Sequence, residues 1–123
     1  MTRSLVRRFA IAGAALPLLA TATACSSDSS GPSNKPVVVN ITEKGGQIDP
    51  VGEVVKASTG QQIRLVVTSD APDELHVHSD PEHEFVIPAG ADQKEYKFTI
   101  DTPGTVVVES HELEVTVLKL EIS

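Results

Sequence analysis

Three of the four histidines fall in Asp73–Phe85, DELHVHSDPEHEF, and the fourth, His111, lies in VVVESHELEV. His76 and His78 are two positions apart. On a strand, side chains two apart leave the same face, so this pair would present two imidazoles together while Leu75 and Val77 turn to a core. Imidazole serves Cu(II), Zn(II), Ni(II) and Fe(II). If the strand before His111 ends beside the pair, a third imidazole completes a three-histidine set with an open position, as in catalytic zinc sites. His83, in an acidic stretch with Asp80, Glu82 and Glu84, is a further candidate, as a ligand or as a group behind one. Asp73, Glu74, Glu109 and Glu112 flank these histidines and could orient their N–H groups. A plainer account stands beside this one. Outward positions of strands are polar whether or not they bind anything, acidic residues are mostly solvated, and short motifs of this kind arise often without a metal.

The elements that must position these residues are strands. Beyond Pro36 the apolar residues are mainly Val and Ile, which suit a pleated surface. Turn signals separate short runs at 37–41, 53–57, 62–68, 75–79, 84–87, 94–100, 105–110 and 113–122. Ile63, Leu65 and Val67 alternate onto one face, as do Tyr96, Phe98 and Ile100. In the last run the apolar phase passes from Leu113, Val115 and Val117 to Leu118, Leu120 and Ile122, which predicts a bulge near Val117-Leu118. About eight strands, with no helical period in the domain, predict an antiparallel sandwich or barrel.

The chain has 123 residues, enough for one domain. Residues 1–24 are expected to lie outside it. Arg3, Arg7 and Arg8 precede the apolar run FAIAGAALPLL, which is too short to span a bilayer, and small residues lead to Cys25. This arrangement resembles a bacterial lipoprotein signal, which implies that Cys25 is lipidated and becomes the new N-terminus. The position three before it holds Ala22 where that family usually has Leu. A plain signal peptide cut near Ala24 is the other reading, and it makes the protein secreted. Residues 25–36 are rich in Ser, Pro and Gly, carry no large apolar residue and read as a tether. Cys25 is the one cysteine, so no internal disulfide can form. The formal charge is -7. Removing three arginines and no acidic residue leaves seven Lys/Arg against seventeen Asp/Glu, a net -10. Such a surface excludes phosphate-backbone binding, so nucleic acid is not an expected partner, and it raises the local concentration of cations.

The segment TSDAPDELHVHS at 68–79, the Pro-Ala-Gly turn at 88–90 and FTIDTPGTVVVESHE at 98–112 are similar to small bacterial cupredoxin-like domain proteins of the EfeO type. The resemblance covers most of residues 37–123. It implies a Greek-key β-sandwich of about seven or eight strands, with any metal at one end. It places the family's paired histidines on His76 and His78 and a later one on His111. The loop Ser79-Asp80-Pro81 departs from the family's usual sequence. A blue-copper site needs a Cys thiolate, two His and usually a Met. Residues 26–123 contain neither Cys nor Met, so blue copper is excluded by composition.

The resulting expectation is an exported, cupredoxin-like lipoprotein on the extracytoplasmic face of the cytoplasmic membrane. It binds a divalent metal, with copper(II) favoured, through His76, His78 and His111. No nucleophile elbow surrounds Ser79 or Ser110, and no enzyme activity is expected. The alternative is a metal-free envelope lipoprotein that docks another envelope protein through its surface or an edge strand.

Overall fold

The computed structural model describes residues 35–123. The expected signal segment, Cys25 and the expected tether up to residue 34 lie outside the described residues. Nine strands run in chain order: β1 (Val37–Lys44), β2 (Gln47–Asp49), β3 (Glu53–Ala57), β4 (Ile63–Ser69), β5 (Asp73–Val77), β6 (His83–Ile87), β7 (Ala91–Phe98), β8 (Gly104–Ser110) and β9 (Val115–Ile122). They form two sheets, one in the order β2-β1-β4-β7 and the other β3-β9-β8-β5-β6. No helix among the described residues is long and apolar enough to cross a membrane.

Alternation builds the core. Ile63, Leu65 and Val67 of β4 are buried, as are Leu75 and Val77 of β5, and Val106 and Val108 of β8. Their neighbours on each strand face outward. This period of two is what a sheet with one solvated face requires. Between the sheets these residues make a single cluster with Ile41, Ile87, Phe98 and Leu120.

The structure departs from the expected architecture in two ways. The sheets are mixed rather than antiparallel: β1 lies parallel to β4 and β3 lies parallel to β9. Alternation reports which face a residue takes and carries no strand direction, so pattern alone could not show this. The ninth strand, β2, is only three residues long. It pairs back on β1 through the Gly45-Gly46 turn, where both glycines hold positive φ. Too few residues alternate there to give a periodic signal.

The predicted bulge is present. Val108 pairs with Leu118, but Glu109 pairs with Thr116, so Val117 is the extra residue on β9. Val117 and Leu118 are consecutive and both fully buried. Ordinary strand geometry cannot bury two neighbours on one face, and the bulge is how β9 does so.

One end of the sandwich holds a buried polar layer. Glu43 and Ser69 enter it from the first sheet, and Asp73 and Ser110 from the second; all four are buried. Asp73 accepts hydrogen bonds from the Ser110 hydroxyl at 2.7 Å and from the backbone N–H groups of Glu74 at 2.7 Å and Glu112 at 3.0 Å. It thereby ties the start of β5 to the turn between β8 and β9. On the other sheet Ser69 Oγ lies 2.6 Å from the Ala71 carbonyl and 2.9 Å from Glu43 Oε2. Burial pushes the Glu43 carboxyl above its usual range, only partly offset by the Ser69 hydroxyl, with Asp73, Asp70 and Glu112 adding to the rise.

Candidate metal centre

Strand β5 carries the centre. Its inward residues are Asp73, Leu75 and Val77, so Glu74 and His76 face outward, and His78 continues that row one residue past the strand. The backbone N–H of His78 still donates to the Val107 carbonyl at 2.9 Å, which holds this residue to β8. His76 stands opposite Glu84 on β6 and Glu109 on β8. The two imidazoles lie side by side, with ring centroids 4.3 Å apart and planes inclined by 31°.

Each imidazole meets a carboxylate. His76 Nε2 is 3.2 Å from Glu82 Oε2, and His78 Nε2 is 2.8 Å from Glu109 Oε2. Glu82 sits in the β5–β6 loop and is 61 % exposed. Glu109 is held on its other oxygen by the Thr116 hydroxyl at 3.4 Å. His76, His78 and Glu82 can bring one donor atom each to within 4.8 Å of one another, and they make the one such group of three among the described residues.

In the sequence Glu82 stands only among the acidic neighbours of His83. The signal for it was the hairpin itself. Val77 pairs with His83, so the next step of the ladder sets Glu82 across from His78 on the same outward face.

The other two histidines sit elsewhere. His83 shares the inward side of β6 with Phe85 and Ile87. Its ring lies parallel to that of Phe85, with centroids 6.1 Å apart, and tilts against Phe98 at 5.4 Å. It belongs to an aromatic group closing the gap between β6 and β7, on the opposite side of its sheet from His76. His111 follows β8 on the outward face, and its backbone N–H donates to the Glu74 carbonyl at 2.9 Å. Its Nδ1 lies 3.6 Å from Glu74 Oε1, and its side chain is 74 % exposed. It lines one pocket of about 220 Å³ together with His76, Glu109, Ser110 and Glu114. The structure thus brings His111 to the same face as His76 and His78 but outside the group of three donors. Of the flanking acids, Glu74 and Glu109 do reach imidazoles. Asp73 is buried in the polar layer, and Glu112 gives it a backbone N–H.

The donor set decides which metals fit. Two imidazole nitrogens and one carboxylate oxygen suit Cu(II), Zn(II) and Ni(II), and Cu(II) leads the affinity order of the divalent ions. The 3.2 Å between His76 Nε2 and Glu82 Oε2 is the spacing of adjacent ligands around an ion whose bonds are about 2.0–2.1 Å. No sulfur ligand is near among the described residues, so the set is poorly matched to Cu(I). The place is also distinctive. The pair stands on the outward face of the five-stranded sheet, one strand in from its β6 edge, where β5 runs out into the β5–β6 loop.

Among solved structures the chain is similar to auracyanin A, a "blue" copper protein from Chloroflexus aurantiacus, with a TM-score of 0.55 and 13 % identity over 72 % of this chain and 100 % of that one. A mutant of amicyanin in its Cu(I) form gives a TM-score of 0.52 and 14 % identity over 74 % of this chain and 85 % of the other. A purple cupredoxin from Nitrosopumilus maritimus gives 0.50 and 10 %, over 71 % and 99 %. No family model and no curated protein matches the sequence. The chain is therefore an all-β sandwich of cupredoxin-like fold. At these identities the likeness is one of fold alone, and the ligands must be argued from this chain's own residues.

Proposed function

We propose that this protein is an exported lipoprotein, anchored through Cys25 on the extracytoplasmic face of the membrane, whose cupredoxin-like domain binds a divalent metal ion, with Cu(II) favoured. His76 and His78 are the imidazole ligands and Glu82 is the third donor. The observation that carries this reading is the convergence of one donor atom from each of these residues within 4.8 Å on a single exposed face. No reaction is assigned to an ion held there. The surrounding carboxylates, Glu74, Glu84, Glu109 and Glu114, favour cations at this face.

The test is a calorimetric titration with Cu(II) and Zn(II) of the protein purified without a His tag, beside a His76→Ala/His78→Ala variant. Stoichiometric binding that disappears in the variant supports the site. Weak binding that is the same in both would overturn it, and the metal-free docking protein would then be the better account. The anchor has its own test. Labelling cells with an alkyne-bearing fatty acid should tag the wild-type chain and not Cys25→Ser, which should appear in the medium. Equal labelling of both proteins would sink the lipoprotein assignment.

A further inference from the structure

Two carboxylates touch the histidine pair, and they are held differently. Glu82 is on a loop, largely exposed, and 3.2 Å from its imidazole. Glu109 is on a central strand, fixed by Thr116, and 2.8 Å from His78 Nε2. An ionised carboxylate has no proton to give, so the proton in the short Glu109–His78 bond must sit on Nε2. A neutral imidazole carries one N–H, and the remaining nitrogen is the base.

We infer that Glu109 is a positioning residue for the metal centre, holding His78 as the Nε2–H tautomer so that Nδ1 is the nitrogen left to bind metal. This rests on the metal reading of His76, His78 and Glu82 and assigns a fourth residue to it. The two carboxylates then divide the work. Glu82 is free enough to turn from hydrogen-bond acceptor to ligand. Glu109 stays off the metal and fixes the ring from behind, the arrangement in which an outer carboxylate raises the basicity of a ligating imidazole. The fixation comes from the bulge. Because Val117 is looped out, Glu109 faces Thr116 rather than Val117, and a hydroxyl meets its second oxygen.

The experiment reads the tautomer in metal-free protein, independently of loading. Long-range proton–nitrogen correlation spectra of 15N-labelled protein, at about pH 8.5, above the ordinary histidine range, distinguish the two tautomers. The His78 resonances are assigned by their loss in His78→Ala. The wild type should show His78 with the proton on Nε2. Glu109→Ala should give a mixture of tautomers, and Glu109→Gln, whose amide oxygen still accepts, should restore the wild-type pattern. Metal affinity should follow, falling by about 10- to 100-fold in Glu109→Ala and recovering largely in Glu109→Gln. His78 found with its proton on Nδ1, or a tautomer unmoved by Glu109→Ala, would overturn the inference. A protein that shows the Nε2–H form and binds no metal overturns the metal reading but leaves the Glu109–His78 assignment standing.

Discussion

Single residues decide what this surface can hold. His76 and His78 share one face because strand geometry leaves them no other choice, and that much was readable from a two-residue spacing. Spacing could not say which carboxylate would join them, because Glu82 reaches the pair only through the pairing of β5 with β6. Nor could it separate His83 from the site, since the parity of β6 depends on where that strand begins. His111→Ala is therefore expected to change Cu(II) affinity far less than His78→Ala, and His83→Ala to leave it unchanged while lowering the urea midpoint. Calorimetry and denaturation on the same samples would check both. A different residue sets the pH response. Ser69 has one hydroxyl proton for two acceptors, the Ala71 carbonyl and Glu43. Burial of the Glu43 carboxyl outweighs the hydrogen bond it accepts from the Ser69 hydroxyl, so its pKa is raised in the folded protein. A carboxyl whose pKa is higher folded than unfolded binds more protons in the folded state as pH climbs from its ordinary 4.5. Stability must then fall across that window. Glu43→Gln should match the wild type at about pH 4.5, flatten the decline and be the more stable protein at neutral pH. Parallel curves from urea titrations would place the decline in another group.

At the scale of elements, polar bonds join pieces that the core alone would leave loosely registered. In the sequence Asp73 is one of the acids flanking the histidines, a candidate to orient an imidazole N–H. It is instead the post to which the β8–β9 turn is tied, a role invisible without the fold because Ser110 and Glu112 are far from it along the chain. Removing its carboxylate strands three donors. Asp73→Ala should cost about 3 kcal/mol, seen as a lower urea midpoint at an unchanged slope. Tyr96 joins the two sheets where β6 and β7 meet, its hydroxyl donating to the Val86 carbonyl at 2.7 Å. Tyr96→Phe keeps the ring against Phe85 and should cost only about 1 kcal/mol. The bulge on β9 was legible because a change of apolar phase has no other remedy in a strand with a buried face. The parallel pairs were not, because direction leaves no mark on alternation.

For the molecule as a whole, both parallel pairings join segments that are distant along the chain: β1 meets β4, and β3 meets β9, Glu53 lying opposite Leu118. Non-local pairing of this kind places folding in the millisecond-to-second range rather than the microsecond one. It also makes β9 indispensable, since it lies between β3 and β8. A chain ending at Glu114 should lose amide protection throughout the second sheet, as hydrogen exchange would show. The pairing sets an order of arrival as well. A chain that emerges N-terminus first has all four strands of its first sheet by Phe98, while the second still lacks β8 and β9. His76, His78 and Glu82 are by then present on the β5–β6 hairpin, and Glu109 is the last of the four to come. An ion that meets the nascent protein therefore finds imidazoles free to offer either nitrogen, and one that meets the finished protein finds the choice at His78 already made.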